Sequence, residues 1–130
     1  MTYERKDMTK AVLEGVAFGL KDSLDLIKNM GLPVKEIRLL GGGAKSPVWK
    51  QIIADVFGQT VYDINTNQGG ALGAAILAAV GAGDFESVET ASTELIKTTE
   101  SYEPNLVNYE RYKLKHATFQ ALYQHLKELF

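Results

Sequence analysis

The stretch Leu39-Leu40-Gly41-Gly42-Gly43-Ala44-Lys45-Ser46-Pro47-Val48-Trp49 decides the fold and supplies the first candidate site. An apolar run ends in three consecutive glycines, and a serine followed by a proline then opens an amphipathic segment, which is typical of a helix start. The stretch therefore predicts a strand, a glycine turn and a helix. Main-chain N–H groups in such a turn, together with the positive end of the helix, suit a phosphate group. We expect a nucleotide site here, or else a tight connection that needs glycine only for its own geometry.

Two known phosphate-binding motifs can be compared with this turn. A P-loop requires glycine directly before its lysine, whereas Ala44 precedes Lys45, and this excludes a P-loop. A dinucleotide-binding fingerprint fits better, because Gly41 and Gly43 supply its first two glycines. Asp63 lies twenty residues after Gly43, where an acid would contact the ribose. The third glycine and further strand-helix repeats are missing, so a Rossmann-like domain is the lesser alternative.

Periodicity organises the chain into about four helices and two strands. We predict a long helix over residues 8–30, a short helix from Pro47 to Gly58, a glycine- and alanine-rich helix over 69–81 in the interior, and a closing amphipathic helix over 109–130. Strands over 36–40 and 60–64 flank the short helix, which predicts a parallel pair with a right-handed crossover. Residues 85–106 predict a loop with one helical turn near 92–96.

The first helix and the small sheet both indicate further structure around them. The predicted buried stripe of the helix consists of Leu13, Val16, Leu20, Leu24 and Ile27. Gly15 and Gly19 lie four residues apart in this helix and predict that a neighbouring element packs closely against it. Two strands alone form a marginal sheet. We therefore expect a piece of a larger α/β domain whose remaining strands lie outside this chain.

Composition limits the class of protein. The 130 residues fit a single domain, 1–130, and 45% hydrophobic and 23% charged residues are ordinary for a globular protein. A net charge of -2 argues against nucleic acid as a partner, and the longest apolar run is too short to span a membrane. The absence of cysteine excludes thiolate metal sites and, without a signal-like start, predicts a cytoplasmic protein.

Several side chains outside the turn have both a functional and a structural interpretation. His116 and His125 are nine residues apart, which places them on different helix faces, so we predict surface residues and no metal pair. The basic and tyrosine-rich segment 109–115 predicts a solvated helix face better than an RNA-binding patch. Asp55 is predicted on the polar side of its helix, and Asp63 at a strand end suits ligand contact. Trp49 is predicted in the core.

Three segments together resemble a known family. Residues 41–51 (GGGAKSPVWKQ), followed by Ala54 and Asp55, resemble the C-terminal signature of the FGGY carbohydrate kinases, most of all their xylulokinase-like and gluconokinase-like members. Residues 11–18 (AVLEGVAF) are similar to the helix before that signature, and residues 71–75 (ALGAA) to the helix after it. The order and spacing of the segments agree over about two thirds of the chain, which is far more specific than a glycine motif alone.

The resemblance carries implications for fold and function. It implies an α/β fold that is part of a ribonuclease H-like domain of the actin and hexokinase type, with a small parallel sheet and about four helices. It implies that Gly42, Gly43 and Ala44 lie beside the ATP phosphates and ribose, with Ser46 near the adenosine, and that Mg²⁺ assists transfer of the γ-phosphate to a sugar. Gly41, the first glycine of the turn, is added to the predicted ATP site from the residues of the turn alone. Family members often carry Glu where this chain has Gln68.

The same resemblance implies that the chain is incomplete as an enzyme. The aspartate that serves as general base in the family belongs to an upstream segment, as do most sugar contacts. We therefore expect the C-terminal portion of a sugar kinase, with xylulose as the first candidate substrate, that is inactive without the N-terminal part. The alternative of another class is a stand-alone nucleotide-binding or interaction module that has lost catalysis.

Overall fold

The computed structural model describes residues 3–66 and 68–129. Within these ranges the chain forms five α-helices and three β-strands. In chain order they are α1 (Arg5–Asn29), β1 (Ile37–Leu39), α2 (Pro47–Phe57), β2 (Val61–Ile64), α3 (Gly69–Ala82), α4 (Val88–Leu95), β3 (Thr98–Tyr102) and α5 (Leu106–Leu126). Short 3₁₀ turns occupy Gly42–Lys45 and Lys127–Leu129. None of the described helices is long and apolar enough to cross a bilayer.

The sheet is mixed and has the order β1-β2-β3. The predicted parallel pair is confirmed, with Ile37 opposite Val61 and Leu39 opposite Asp63. The third strand pairs antiparallel with β2. It lies in the segment predicted as a loop, so that prediction was wrong, as was the two-strand count. Its sequence, Thr-Thr-Glu-Ser-Tyr, is polar because four of its five positions are exposed, and an edge strand of this kind has no apolar alternation to reveal it.

The core is centred on α2. This helix begins at the predicted Ser46-Pro47 pair and ends at Gly58, whose φ of 63° lies in the left-handed region. Ile53 on α2 and Val61 on β2 are the largest fully buried side chains. Because α2 packs against α1, α5 and the sheet, its predicted polar face is also buried, and both Lys50 and Asp55 lie inside.

The buried stripe of α1 differs from the predicted one. Glu14, Ala17, Phe18 and Leu24 face the core, whereas Val16, Leu20 and Ile27 are exposed. The prediction is confirmed for Leu24 and for Leu13, which packs against the core, and it was wrong for the other three. The reason is that α1 is apolar on two sides, and periodicity alone does not say which side packs inward. The two glycines of α1 have no neighbour within 4 Å of an added Cβ in the described structure.

The other helices also differ in placement. The interior position predicted for α3 is wrong, since Ile76 is its only buried residue and it packs on α4, a helix that was predicted as a single turn at most. On the closing helix the spacing of Phe119, Leu122, Leu126 and Leu129 predicts one apolar stripe. Phe119 packs against the core as predicted, whereas the three leucines are exposed. The sequence of α3 has small side chains and no polar face, which is typical of a core helix. The same sequence is expected for a helix that the described residues leave uncovered, so the pattern alone does not predict its burial.

Helix α5 packs on α1 through rings and hydrogen bonds. The Tyr112 hydroxyl donates to Glu14 Oε1 at 2.9 Å, and His116 Nε2 lies 2.8 Å from Asp22 Oδ1. The rings of Tyr112, His116 and Phe119 surround Phe18 with centroid distances of 5.6 to 6.0 Å. His116 therefore lies largely inside the protein, and its predicted surface position was wrong. The charge partner that draws a histidine inward lies 94 residues away in sequence.

Candidate functional site

The glycine turn is held by its own main chain. Gly41 has φ 90° and ψ −170°, a conformation open essentially to glycine alone. Ala44 N–H donates to the Gly41 carbonyl at 3.1 Å, and Ser46 N–H donates to the Gly43 carbonyl at 3.0 Å. Within residues 3–66 and 68–129, no acceptor is recorded for the N–H groups of Gly42 and Gly43. Two main-chain donors of the turn are therefore available to an external group.

The start of α2 fixes the far side of the turn. Ser46 Oγ accepts a hydrogen bond from Trp49 N–H at 3.3 Å, so the predicted serine cap is confirmed. The Trp49 ring lies over Gly43, where an added Cβ would be 3.0 Å from Nε1. Trp49 is half-buried and packs against the core, as predicted. A side chain at Gly43 would thus press on the Trp49 ring and displace it by a few tenths of an ångström, while the Cβ direction of Gly42 is open.

A cavity of about 690 Å³ opens in front of the turn. Three segments line it: the glycine turn, the loop after β2 and the first two turns of α3. The lining residues are Gly41, Gly42, Lys45, Asn65, Thr66, Gln68, Ala71, Leu72 and Ala75. Because β1 and β2 are parallel, their carboxyl ends meet at one edge of the sheet, and loops at that edge commonly form ligand sites in α/β proteins. The volume lies in the range of small-molecule sites.

The described lining of the cavity carries a positive rather than a negative field. Lys45 supplies a cation, for which no ion-pair partner is recorded in the described parts of the chain, and the described lining contains no carboxylate. Helix α3 begins at Gly69 without a side-chain cap on its first amides. The N-terminus of a helix carries partial positive charge. This end of the sheet therefore suits an anion.

A buried ion pair joins α2 to the end of β2. Lys50, 4% exposed, donates to Asp63 at the end of β2, lies 3.8 Å from Glu100 Oε2 and stands 4.9 Å from the centre of the Tyr102 ring. The hydrogen bond and charge of Asp63 raise the pKa of the Lys50 ammonium above its ordinary value, although burial opposes that shift. Asp63 is thus occupied by a protein cation and is not free to bind a ribose as a Rossmann acid would.

Asp55 also has a structural role. Its carboxylate accepts hydrogen bonds from the Gln51 amide, the Asn105 main-chain N–H and the Asn108 amide, each at 2.8 Å. These contacts fasten α2 to the start of α5. The predicted position on an exposed polar face was wrong, because Asn105 and Asn108, 50 and 53 residues further along the chain, cover that face.

Comparison with known proteins decides the family. Residues 1–82 match the FGGY family of carbohydrate kinases, C-terminal domain. The chain belongs to the FGGY family of carbohydrate kinases. The predicted resemblance is confirmed, and the Rossmann-like alternative is wrong. The xylulose kinase of Bacillus subtilis (strain 168) is 36% identical over 127 residues, which cover 98% of this chain and 26% of that relative. The chain thus spans about a quarter of the length of the curated relatives that it matches.

Solved FGGY kinases have the same fold. The crystal structure of xylulose kinase from Rhodospirillum rubrum superposes with a TM-score of 0.85 at 30% identity, covering 99% of this chain and 26% of that one. A glycerol kinase from Plasmodium falciparum, solved with ADP, superposes with a TM-score of 0.75 at 25% identity, covering 95% of this chain and 25% of that one. The predicted fold class, part of an actin- and hexokinase-type domain, is confirmed, with five helices and three strands in place of about four and two.

The structure places the predicted site residues in two groups. Gly41 and Gly42 line the cavity, whereas Gly43, Ala44 and Ser46 are outside its recorded lining; Ala44 is 3% exposed. The turn after β2 and the first two turns of α3 were not predicted as site residues. The sequence nevertheless offered one indication of them. Residues 65–68 follow the second parallel strand, and the carboxyl ends of parallel strands, where the glycine turn also lies, commonly form ligand sites.

Proposed function

We propose that this chain is the ATP-binding C-terminal portion of a sugar kinase that transfers the γ-phosphate of ATP to a sugar hydroxyl, with xylulose as the first candidate sugar. In this proposal residues 1–130 form one domain, and the preceding part of the kinase supplies the sugar site and the general base. The portion alone is then inactive. The proposal rests on the family match and on the kinases named above, two of which are xylulose kinases.

The observation that carries ATP binding is the main-chain donor of Gly42, which lines the cavity, next to the donor of Gly43, which lies just outside that lining. Phosphate oxygens are strong acceptors and match a concave group of N–H donors. Lys45 adds a mobile positive charge, and the α3 start adds its positive end. The resemblance assigns Gly42, Gly43 and Ala44 to the phosphates and ribose, and Ser46 to the vicinity of the adenosine; Gly41 is proposed with them because it lines the cavity. ADP in the related glycerol kinase supports a nucleotide in this fold.

In this proposal Mg²⁺ binds to the nucleotide and not directly to side chains of the described lining. The described lining offers no carboxylate to a cation, so phosphate oxygens would be its main ligands on this side of the site. Bound Mg²⁺ neutralises charge that develops on the transferred phosphoryl group. The residues of this chain then act by holding and orienting the phosphates, since phosphoryl transfer depends mainly on positioning and charge.

An NMR titration of the chain with Mg-ATP tests the proposal. We expect the amide signals of residues 41–46 and 65–72 to shift, and Gly42→Val to abolish the shifts, because its Cβ points into open space at the cavity and its branched side chain would occupy the phosphate position. Gly81→Val is the matched control, since Gly81 also has open space and lies outside the recorded lining. A dissociation constant of about 5 mM corresponds to a binding free energy of only roughly 3 kcal/mol. Wild-type spectra that do not change at about 5 mM nucleotide would therefore count against the site.

A chimera tests the kinase activity itself. The C-terminal quarter of the Bacillus subtilis xylulose kinase, replaced by this chain, should phosphorylate xylulose in a coupled assay, and the chain alone should not. Activity of the isolated 130 residues would contradict the proposal that catalysis needs the preceding part. An inactive chimera that still binds both ATP and xylulose would contradict the role of this portion in transfer.

A further inference from the structure

Helix α1 has a second apolar side that no described residue covers. We define the outer face of α1 as Met8, Val12, Val16, Leu20 and Ile27. These residues recur at spacings of four and seven, which places them on one side of a helix, and each is at least 41% exposed. The core-facing residues occupy the opposite side. A helix that is apolar on both sides is typical of one packed between two layers.

The two glycines of α1 lie on or beside this outer face. Gly15 and Gly19 have no neighbouring atom within 4 Å of an added Cβ. Each glycine in a helix interior destabilises the helix by roughly 1 kcal/mol relative to alanine, and no contact in the described structure offsets this loss. Close approach of another backbone, which the missing Cβ atoms permit, would offset it. The outer face also carries no charge along its centre, unlike the surface of a solvated helix.

We infer that the outer face of α1 is the docking surface for the preceding part of the same kinase polypeptide. This inference rests on the proposed function, because it assigns a surface to the partner proposed there. The chain accounts for about 26% of the matched kinases, and the matched region includes all of α1. The sheet supports the same occupant, since β1 has a partner strand on only one side among the described residues, and its open edge can pair with a further strand. A second copy of the chain is the competing occupant.

Thiol reactivity measures the docking directly, because the chain has no cysteine. Val16→Cys places a unique thiol at the centre of the outer face, and Leu114→Cys, at a residue 75% exposed on α5, gives a reference thiol. Each is reacted with Ellman's reagent in the isolated chain and in the chimera described above, with the chimera's other cysteines replaced by serine. Each native rate is divided by the rate of the same protein in urea.

We expect the Val16→Cys thiol to react freely in the isolated chain and at least about ten-fold more slowly in the chimera, because burial blocks the reagent except during local opening. Equal rates in the two proteins would overturn the inference. Protection that appears in the isolated chain and grows with its concentration would overturn it in favour of a second copy. The Leu114→Cys thiol shows whether the reagent reaches an exposed thiol equally well in the two proteins, and a cooperative urea transition shows that the chimera is folded.

A glycine variant gives an independent readout. Gly15→Leu should leave the melting temperature of the isolated chain unchanged or raised, because its side chain meets open space, and should lower that of the chimera. Equal effects in both proteins would contradict close packing at this face. ATP titration of the same chimera separates the two proposals: protection of the Val16→Cys thiol without ATP binding refutes the nucleotide proposal alone, and ATP binding without protection refutes the docking inference alone.

Discussion

Replacing Lys50 by methionine tests whether the buried ion pair holds the end of β2 against α2. Lys50→Met keeps the length of the side chain but leaves the Asp63 carboxylate without its cation. Breaking a buried pair from one side costs about 3–5 kcal/mol. Asp63 is still 18% exposed and accepts a hydrogen bond from Ile64 N–H at 3.1 Å, which places the expected loss at the low end, about 3 kcal/mol.

A double-mutant cycle isolates the pair. Asp63→Asn alone leaves the Lys50 ammonium buried beside Glu100 only, whereas Lys50→Met with Asp63→Asn removes both charges. The free energy of unfolding is measured by urea denaturation of all four proteins. We expect a coupling energy above about 1.5 kcal/mol, with the double variant more stable than the sum of the single losses predicts. Single losses below about 1 kcal/mol, or additivity within about 0.5 kcal/mol, would refute the role of the pair.

Three further perturbations have defined outcomes. Gly58→Ala should lose at least about 1–2 kcal/mol in urea unfolding, because φ is 63° and the new Cβ would overlap the Tyr109 ring, while Gly81→Ala should gain about 0.5–1 kcal/mol. Ser46→Ala should lose about 1 kcal/mol through the missing cap, and a loss near zero would contradict the Trp49 N–H contact. Burial and the Glu14 hydrogen bond raise the pKa of Tyr112, so stability should hold below about pH 10 and fall as pH rises further; Tyr112→Phe should flatten that fall in pH-dependent melting curves.

Sequence reasoning was most successful where local chemistry determines the structure. The strand, glycine turn, serine cap and proline start around residues 37–57 are set by neighbouring residues, and the structure confirms each of them. The cavity could be anticipated in part, because two parallel strands bring their following loops together. The cavity is lined by Lys45 and α3 and not by Ser46. This depends on the direction in which α3 leaves the sheet, which local sequence does not determine.

The failures share a physical origin in distant partners. Lys50, Asp55 and His116 have sequences typical of a solvated face, yet each is drawn inward by a group 13 to 94 residues away. The exposed sides of α1 and α3 show the opposite error, because apolar residues predicted to be buried are exposed there. Their apolar composition predicts burial correctly only when the packing partner is present, and no described element of this chain supplies it. Strand β3 was missed because its polar sequence follows its edge position.

The contact between α1 and α5 bears on how this domain can form during protein synthesis. Tyr112 and Phe119, with Tyr102, complete a core whose other members come from the first half of the chain. While translation proceeds, Phe18 and the Glu14 carboxylate remain without their partners until α5, about ninety residues later in the chain, has been made. The nascent chain therefore passes through an interval with this part of the core uncovered, and chaperone binding to ribosome-bound intermediates should decline once α5 has cleared the exit tunnel.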